Sequence, residues 1–331
     1  MSIKVLQVGL GPIGTAVVRQ LISRTGLSVV GAIDIDPEKV GRDLGDICGA
    51  SRLGIKVSND LVGTIGAGRP DIAVMCTSSS LKRALPQFEV VLGHKLPIVS
   101  TTEELAYPAA SHVIETNRLD QLARAAGVAV LGTGVNPGFA MDALPIALTG
   151  VCETLESIRV DRIQDARIRR LPFQKKIGAG LTLEEFSQRA GDGSVRHVGL
   201  AESIAMIADS FGWRLDKVTD EIQPKLADVA VSSEYLTVEP GLVSGIVQEG
   251  RGYRNGEVLI TLHMEAYLGA PESYDAVHIF GNPPLIMRIA GGIHGDIATA
   301  SIVVNSIPRV CQATPGLRTM RDMVLPGYYG G

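Results

Sequence analysis

A chain of 331 residues, 45% apolar but only 4% aromatic, can bury a sizeable core of mainly Val, Ile, Leu and Ala, and its length suits two domains or one large one. A net charge of −4, with acids and bases interspersed and no basic stripe, argues against nucleic acid as the main partner, and no run reaches the ~20 apolar residues of a membrane helix. The four cysteines, Cys48, Cys76, Cys152 and Cys311, lack C-x-x-C spacing, which argues against a zinc site or a disulfide frame; without a signal-peptide pattern, the expected location is the reducing cytoplasm.

Lys4–Val8 is an apolar run short enough for a buried strand, and Gly9, Gly11 and Gly14 follow it directly as G-x-G-x-x-G. Gly9 permits the tight turn, Gly11 lets the backbone approach a pyrophosphate, and Gly14 lets the next helix pack close. Pro12 and Ile13 lie in the same turn, and Thr15–Ser23 has a one-faced helical pattern whose N-terminus aims N–H groups at phosphates. Val29–Ile33 is the second strand, and Asp34 at its end stands where an acid binds ribose hydroxyls. With Ile35 between them, Asp34 and Asp36 favour NAD over NADP, since a 2′-phosphate would meet like charge. Lys39 and Arg42 can each reach a phosphate, so both cofactors stay open. Strand, motif, helix, strand and acid agree on a dinucleotide site.

Asp71–Cys76 is the next firm strand, after a weaker edge strand at Ile55–Val57. Thr77, Ser78 and Ser79 follow it, at the carboxyl end where open α/β sheets bind ligands; each serine taken singly reads equally well as a helix cap. After a helix at Leu81–Gly93, the strand Pro97–Ser100 ends in Thr101, Thr102, Glu103 and Glu104, the two threonines being expected at the cofactor. Two adjacent carboxylates at a strand end are the sharpest chemical feature of the chain, although acids also suit the first turn of a helix. A helix at Ser111–Gly127 and a strand at Val128–Leu131 lead to the loop Gly132–Phe139, where Asn136 can present an amide to a ligand.

The second half changes texture. Ser157–Ile168 reads as a strand, and residues 169–178 form a basic loop, either a solvated charge run or a wall of the substrate cleft. Thr182 and Glu185 make a capping box. His197 has no partner at metal-ligand spacing and reads more readily as structural than as substrate-binding. Antiparallel strands are expected from Lys225 to Ile289, with a hairpin at Asn255-Gly256. A buried helix at Ile297–Val310 contains Asn305, whose side chain needs a partner, either the nicotinamide amide or the protein backbone; the tail Thr314–Gly331 is expected to wrap over a surface.

The expected fold class is α/β: a Rossmann domain at 1–140, an α+β domain at 141–295, and a C-terminal helix and tail at 296–331 packing back towards the Rossmann domain. A carboxylate at the end of a central strand suits amine chemistry. It can hold an ammonium, accept its proton and stabilise a forming iminium, whereas hydroxy-acid dehydrogenases use a His or Lys acid to protonate an oxyanion.

Seven stretches, GLGPIG (9–14), AIDIDPEKVGRDLG (32–45), STTEELAYP (100–108), GTGVNPGFAMDALP (132–145), RIQDARIRRLPFQKKIGAGLTLEEF (162–186), GDIATASIVVNSIPRV (295–310) and PGLRTM (315–320), resemble the native amine dehydrogenases and 2,4-diaminopentanoate dehydrogenase, nearly end to end. The glycine motif is shared by many enzymes, while Thr-Glu-Glu, Asn-Pro-Gly-Phe and Gln-Lys-Lys-Ile-Gly are far more specific. The resemblance implies a dihydrodipicolinate-reductase-like fold with a mostly antiparallel sheet in its substrate and dimerisation domain. It implies a homodimeric NAD(P)-dependent oxidoreductase acting on CH–NH2 groups, with a small amine or ketone and ammonia as substrates. It implies a catalytic glutamate in the Glu103–Glu104 pair: Glu103 is placed facing the nicotinamide with Glu104 in support, and the reverse stays open. Asn136, Phe139, Gln174 and His197 are expected around the substrate, with Leu171 and Phe173 setting its chain length. The paired histidines of true dihydrodipicolinate reductases are absent, and so is the Glu-Lys-Pro of inosamine and sugar dehydrogenases. The alternatives are another oxidoreductase of this fold, acting on a diamino acid, imine or aldehyde, and a dinucleotide sensor without turnover.

Overall fold

Short apolar runs in the first half of the chain become strands buried on both faces, as parallel sheets require. The computed structural model describes residues 2–331. Its elements to the midpoint are β1 (Ile3–Val8), α1 (Pro12–Ile22), β2 (Leu27–Ile33), α2 (Leu44–Cys48), α3 (Leu61–Gly68), β3 (Ile72–Met75), α4 (Leu81–Gly93), β4 (Ile98–Ser100), a 3-10 turn (Glu103–Leu105), α5 (Val113–Ala126), β5 (Ala129–Gly132) and α6 (Ala143–Leu148). Then come β6 (Thr154–Asp165), α7 (Leu171–Lys176), α8 (Leu183–Gly191), α9 (Leu200–Ser210), β7 (Lys217–Leu226), the two-residue strands β8 (Val231–Ser232) and β9 (Thr237–Val238), β10 (Val243–Arg254), β11 (Glu257–Tyr267), β12 (Tyr274–Asn282), β13 (Leu285–Ala290), α10 (Gly295–Gln312) and β14 (Gly316–Arg318). The chain divides into two units, one running to Phe139 and resuming at His294–Gly331, the other Ala140–Ile293.

The first unit holds a six-stranded sheet in the order β14-β5-β4-β3-β1-β2, with every pairing parallel. The chain leaves β1 towards β2 on one side and, through α3, towards β3 on the other. The β1/β3 boundary is therefore the topological switch point, where a crevice opens beyond the carboxyl ends of the strands. Leu6, Val8, Met75, Phe88, Ile98 and Val130 belong to one buried cluster beneath it. The segment read as a surface tail contributes a strand instead: Gly316–Arg318 pairs with Ala129–Leu131 as β14. Three residues are too short for a periodicity signal, so only the pairing reveals them.

The second unit carries a six-stranded sheet in the order β13-β12-β6-β11-β10-β7. The expected mostly antiparallel sheet is a mixed one. The pairs β7–β10, β10–β11, β6–β12 and β12–β13 are antiparallel, but β6 and β11 run parallel in register from Ile158↔Ile260 to Asp165↔Tyr267. Helices α7 to α9 and the hairpin strands β7 and β10 lie between them in sequence, long enough for the chain to return in the same direction. One sheet face is apolar (Val160, Leu262, Ile246, Val277) and the other carries alternating charge, with Arg159, Asp161, His263, Glu249 and His278 in contact across the strands. No helix among the described residues is long and apolar enough to cross a membrane.

Candidate active site

The three glycines of the first turn differ in what they do. Gly9 has φ +87°, and a Cβ there would lie 2.4 Å from Cys76 O. A Cβ at Gly14 would lie 2.0 Å from Gly9 O, so α1 starts against the turn itself. A Cβ at Gly11 would meet nothing within 4 Å. Gly11 is also the N-cap of α1, with no side-chain cap, and Pro12 and Ile13 open the helix. Open space over an uncapped helix N-terminus is the geometry a pyrophosphate needs. The residues present therefore fit a dinucleotide. Gln7, fully buried, braces the turn from below, its Nε2 donating to Gly9 O at 2.9 Å. It hides in the sequence inside an apolar run.

Asp34 ties the second strand to this turn. Its Oδ2 accepts from Leu10 N–H at 2.7 Å and its Oδ1 from Asp36 N–H at 2.9 Å. Lys39 Nζ lies 3.5 Å from Asp34 and 3.1 Å from Asp36. Burial works against the Lys39 charge, but the hydrogen bond to Asp36 and the charge of Asp34 outweigh it and raise its pKa. The Glu38 N–H, then Lys39, hold the Asp36 carboxyl below its ordinary range. Ile35 is 85% exposed beside them, and exposed Arg42 donates to Glu38 O.

Thr77, Ser78 and Ser79 follow β3 at the same edge. Ser78 Oγ accepts from Ser80 N–H, while Thr77 and Ser79 are exposed. The β4 end follows, where Thr101 N–H donates to Met75 O at 3.0 Å. Thr102 departs from the expected cofactor role. It is 1% exposed, and its hydroxyl is 2.9 Å from Ser100 Oγ in the interior, where Ser100 Oγ also accepts from the Thr102 N–H at 3.1 Å. Glu103 begins the 3-10 turn, half-buried, and Glu104 reaches back to the start of α4. In the β5 loop Thr133 N–H donates to Ser100 O, and its buried hydroxyl has no hydrogen-bond partner among the described residues. Asn136 is buried in the same loop, joined to Pro137 by a cis peptide, and Phe139 is half-buried at its end.

Asn305 lies elsewhere. Its Oδ1 accepts from Arg24 Nη1 and from Tyr329 N–H at 3.1 Å, and Arg24 also donates to Tyr329 O at 2.7 Å. Arg24 sits between α1 and β2, at the amino ends of the strands, opposite the glycine turn. Asn305 therefore anchors the C-terminal segment and does not bind nicotinamide.

In the second unit Gln174 is also corrected. It is fully buried, with Nε2 donating to Ala166 O and Arg169 O at 2.9 Å each and Oε1 accepting from Ser233 Oγ at 2.8 Å. These bonds commit its amide to holding the chain before α7. Residues 171–176 form that helix where a loop was expected. Phe173 is a core residue packed with Phe186, Ile246 and Met264, the Arg169 guanidinium lying 3.9 Å from its ring centroid; Leu171 is half-buried. His197 is gripped by its backbone, N–H to Gln248 Oε1 at 2.8 Å and O from Gln248 Nε2 at 3.0 Å. Burial, then the charges of Lys176, Arg162, Arg169 and Arg196, push its pKa well below the ordinary value, so the ring is neutral at physiological pH.

Comparison with known proteins supplies the remaining context. The model described as "Dihydrodipicolinate reductase, N-terminus" matches residues 3–124, and "2,4-diaminopentanoate dehydrogenase C-terminal domain" matches residues 139–329. The 2,4-diaminopentanoate dehydrogenase of Acetoanaerobium sticklandii is 32% identical over 98% of this chain and 94% of its own. An amine dehydrogenase of Streptomyces virginiae is 23% identical over 96% and 95%. The structure of the amine dehydrogenase from Mycobacterium smegmatis matches with a TM-score of 0.88 at 25% identity, covering 100% of this chain and 98% of that one.

Proposed function

The chain belongs to the 2,4-diaminopentanoate dehydrogenase family, and on that premise we propose that it is an NAD(P)-dependent amine dehydrogenase, interconverting a primary amine with a ketone or aldehyde plus ammonia. The observation that carries this reading is the composition of the switch-point edge: a glycine cradle open for a pyrophosphate and, on the β4 end of the same edge, the half-buried Glu103 carboxylate at the start of the 3-10 turn. The relatives are named for a diamino acid and for an amine, and their common chemistry is at a CH–NH2 centre.

A bound nicotinamide supplies or accepts the hydride. Glu103 handles the proton: in the oxidative direction its carboxylate deprotonates the substrate ammonium, because only the free amine can release hydride. In the reductive direction it takes a proton from ammonium so that ammonia adds to the carbonyl, returns that proton as the carbinolamine loses water, and stabilises the positive charge of the substrate iminium. Asn136 and Phe139, at the β5 end, are the substrate-side residues of this unit. Asp34 and Asp36 favour NAD, and Arg42 leaves NADP possible.

A panel of primary amines, and of ketones with ammonia, run with both cofactors and followed at the nicotinamide absorbance, tests the function. Turnover only in the presence of an amine or of ammonia is expected. Reduction of carbonyls without ammonia points to another oxidoreductase, and cofactor binding without turnover on any substrate points to a sensor.

The proposed assembly is a homodimer through the charged sheet face. Pairing places His278, Arg159, Thr261 and Arg251 in one row across the strands and Asp161, His263, Glu249 and Glu221, three acids to one histidine, in the next. Two copies stacked about a two-fold axis along these rows set each cationic row over an anionic one. Sedimentation is expected to give a dimer that weakens as salt rises; a single-chain mass at every salt concentration removes this assignment.

A further inference from the structure

The two glutamates at the end of β4 are held differently. Helix α4 begins after Ser80, whose own side chain makes no capping bond. The Leu81 N–H is accepted instead by Glu104 Oε2 at 2.7 Å, from 23 positions further along the chain. The Glu104 N–H in turn donates to Ser79 O at 3.1 Å. Main chain and side chain of one residue thus grip the loop on either side of Ser80. The same carboxylate oxygen lies 3.4 Å from His112 Nε2. A carboxylate on a helix N-terminal N–H is a charge-assisted bond favoured by the helix dipole. A cap from Ser80 would serve α4 alone. A cap from Glu104 makes the same bond join two strand-end segments, residues 77–81 and 101–105.

We infer that Glu104 is a positioning residue, locking the 77–81 loop to the turn that carries Glu103 so that the two keep one relative geometry. The inference rests on the proposal that Glu103 is the catalytic carboxylate. Glu103 is the residue next to the clamp, so release of the clamp moves its backbone directly. A misplacement of about 1 Å at a reacting group costs on the order of 10²-fold in rate.

The decisive comparison is between Glu104→Gln and Glu104→Asp. Glutamine loses the charge but keeps an oxygen that reaches Leu81 N–H; aspartate keeps the charge and loses the reach. Positioning predicts that Glu104→Gln holds kcat within about threefold of the parent while Glu104→Asp and Glu104→Ala fall roughly ten- to a hundredfold, all three keeping the carboxylate limb of the pH profile of kcat/KM. The opposite order, Glu104→Asp active and Glu104→Gln inactive with that limb gone, makes the Glu104 charge chemical and overturns the inference. Parent kcat in both Glu104→Asp and Glu104→Ala overturns it as well, leaving the role of Glu103 untouched. Glu103→Gln in the same assay judges the parent reading separately: if it retains the rate and the limb, that reading fails, whatever the Glu104 variants show. If Glu104→Ala does not fold, the order of Gln and Asp decides alone.

Discussion

Glu103→Gln is expected to lower kcat for amine oxidation and for reductive amination by roughly 10²–10⁴-fold, the usual weight of a positioned general base. The substitution keeps side-chain size and hydrogen-bonding capacity and removes only the charge and the basic site. Glu103 is half-buried at the start of the 3-10 turn, outside the fully buried cluster that contains Leu105, Ile98 and Val130. Affinity for the reduced cofactor should stay at the parent value, because that affinity is assigned to the glycine turn. Steady-state kinetics with a ketone and ammonia, beside a fluorescence titration with NADH and NADPH, separates the two quantities. A variant that turns over at the parent rate would remove Glu103 from the chemistry; one that folds but no longer binds either cofactor would move it into the binding site.

The second large effect separates two glycines of one motif. Gly9→Ala should destabilise the protein by several kcal/mol: a non-glycine residue in the left-handed region costs roughly 1–2 kcal/mol, and the new methyl would stand 2.4 Å from the Cys76 carbonyl, a backbone atom with nowhere to go. Thermal unfolding should report a clear fall in Tm, and cofactor affinity should fall with it. Gly11→Ala should melt close to the parent, since nothing lies within 4 Å of the added carbon, yet weaken the dinucleotide by about tenfold or more, near 1.4 kcal/mol, because the methyl enters the space assigned to the pyrophosphate. Parent cofactor affinity in Gly11→Ala would show that the phosphates do not sit over this turn.

The legible parts of the molecule were those written in local pattern. Gly9, Gly11 and Gly14 stand out because a tight turn, open space and close helix packing each demand glycine at a set distance from a strand. The strands around them are legible because burial on both faces needs near-continuous apolar runs. The capping box at Thr182 and Glu185 is present for the same reason, its partners lying three residues apart. What escaped was set by the direction a side chain takes in the fold and by partners that no local pattern names. Thr102 and Thr101 look alike in sequence, and only the turn after β4 brings the Thr102 hydroxyl onto buried Ser100 Oγ. Gln174 belongs to a specific-looking motif and has a solvent-excluded structural task. Asn305 was read as needing a partner, and of the two offered the protein backbone is the one found, in the Tyr329 N–H; the Arg24 guanidinium that joins it, 281 residues away at the amino ends of the strands, left no local sign.

The sequence by itself determined that this protein builds a parallel sheet with a dinucleotide-type turn at its first strand and a pair of carboxylates at a later strand end. Those features follow from local sterics and from the apolar runs that strands buried on both faces require. The tertiary structure alone decided that Glu104 is tied to the Leu81 amide, that Asp34 braces the glycine turn through the Leu10 amide, and that β6 lies parallel to β11. Each is a bond between groups far apart in the chain, formed only because folding removes water from buried or half-buried donors and acceptors and leaves them to satisfy one another.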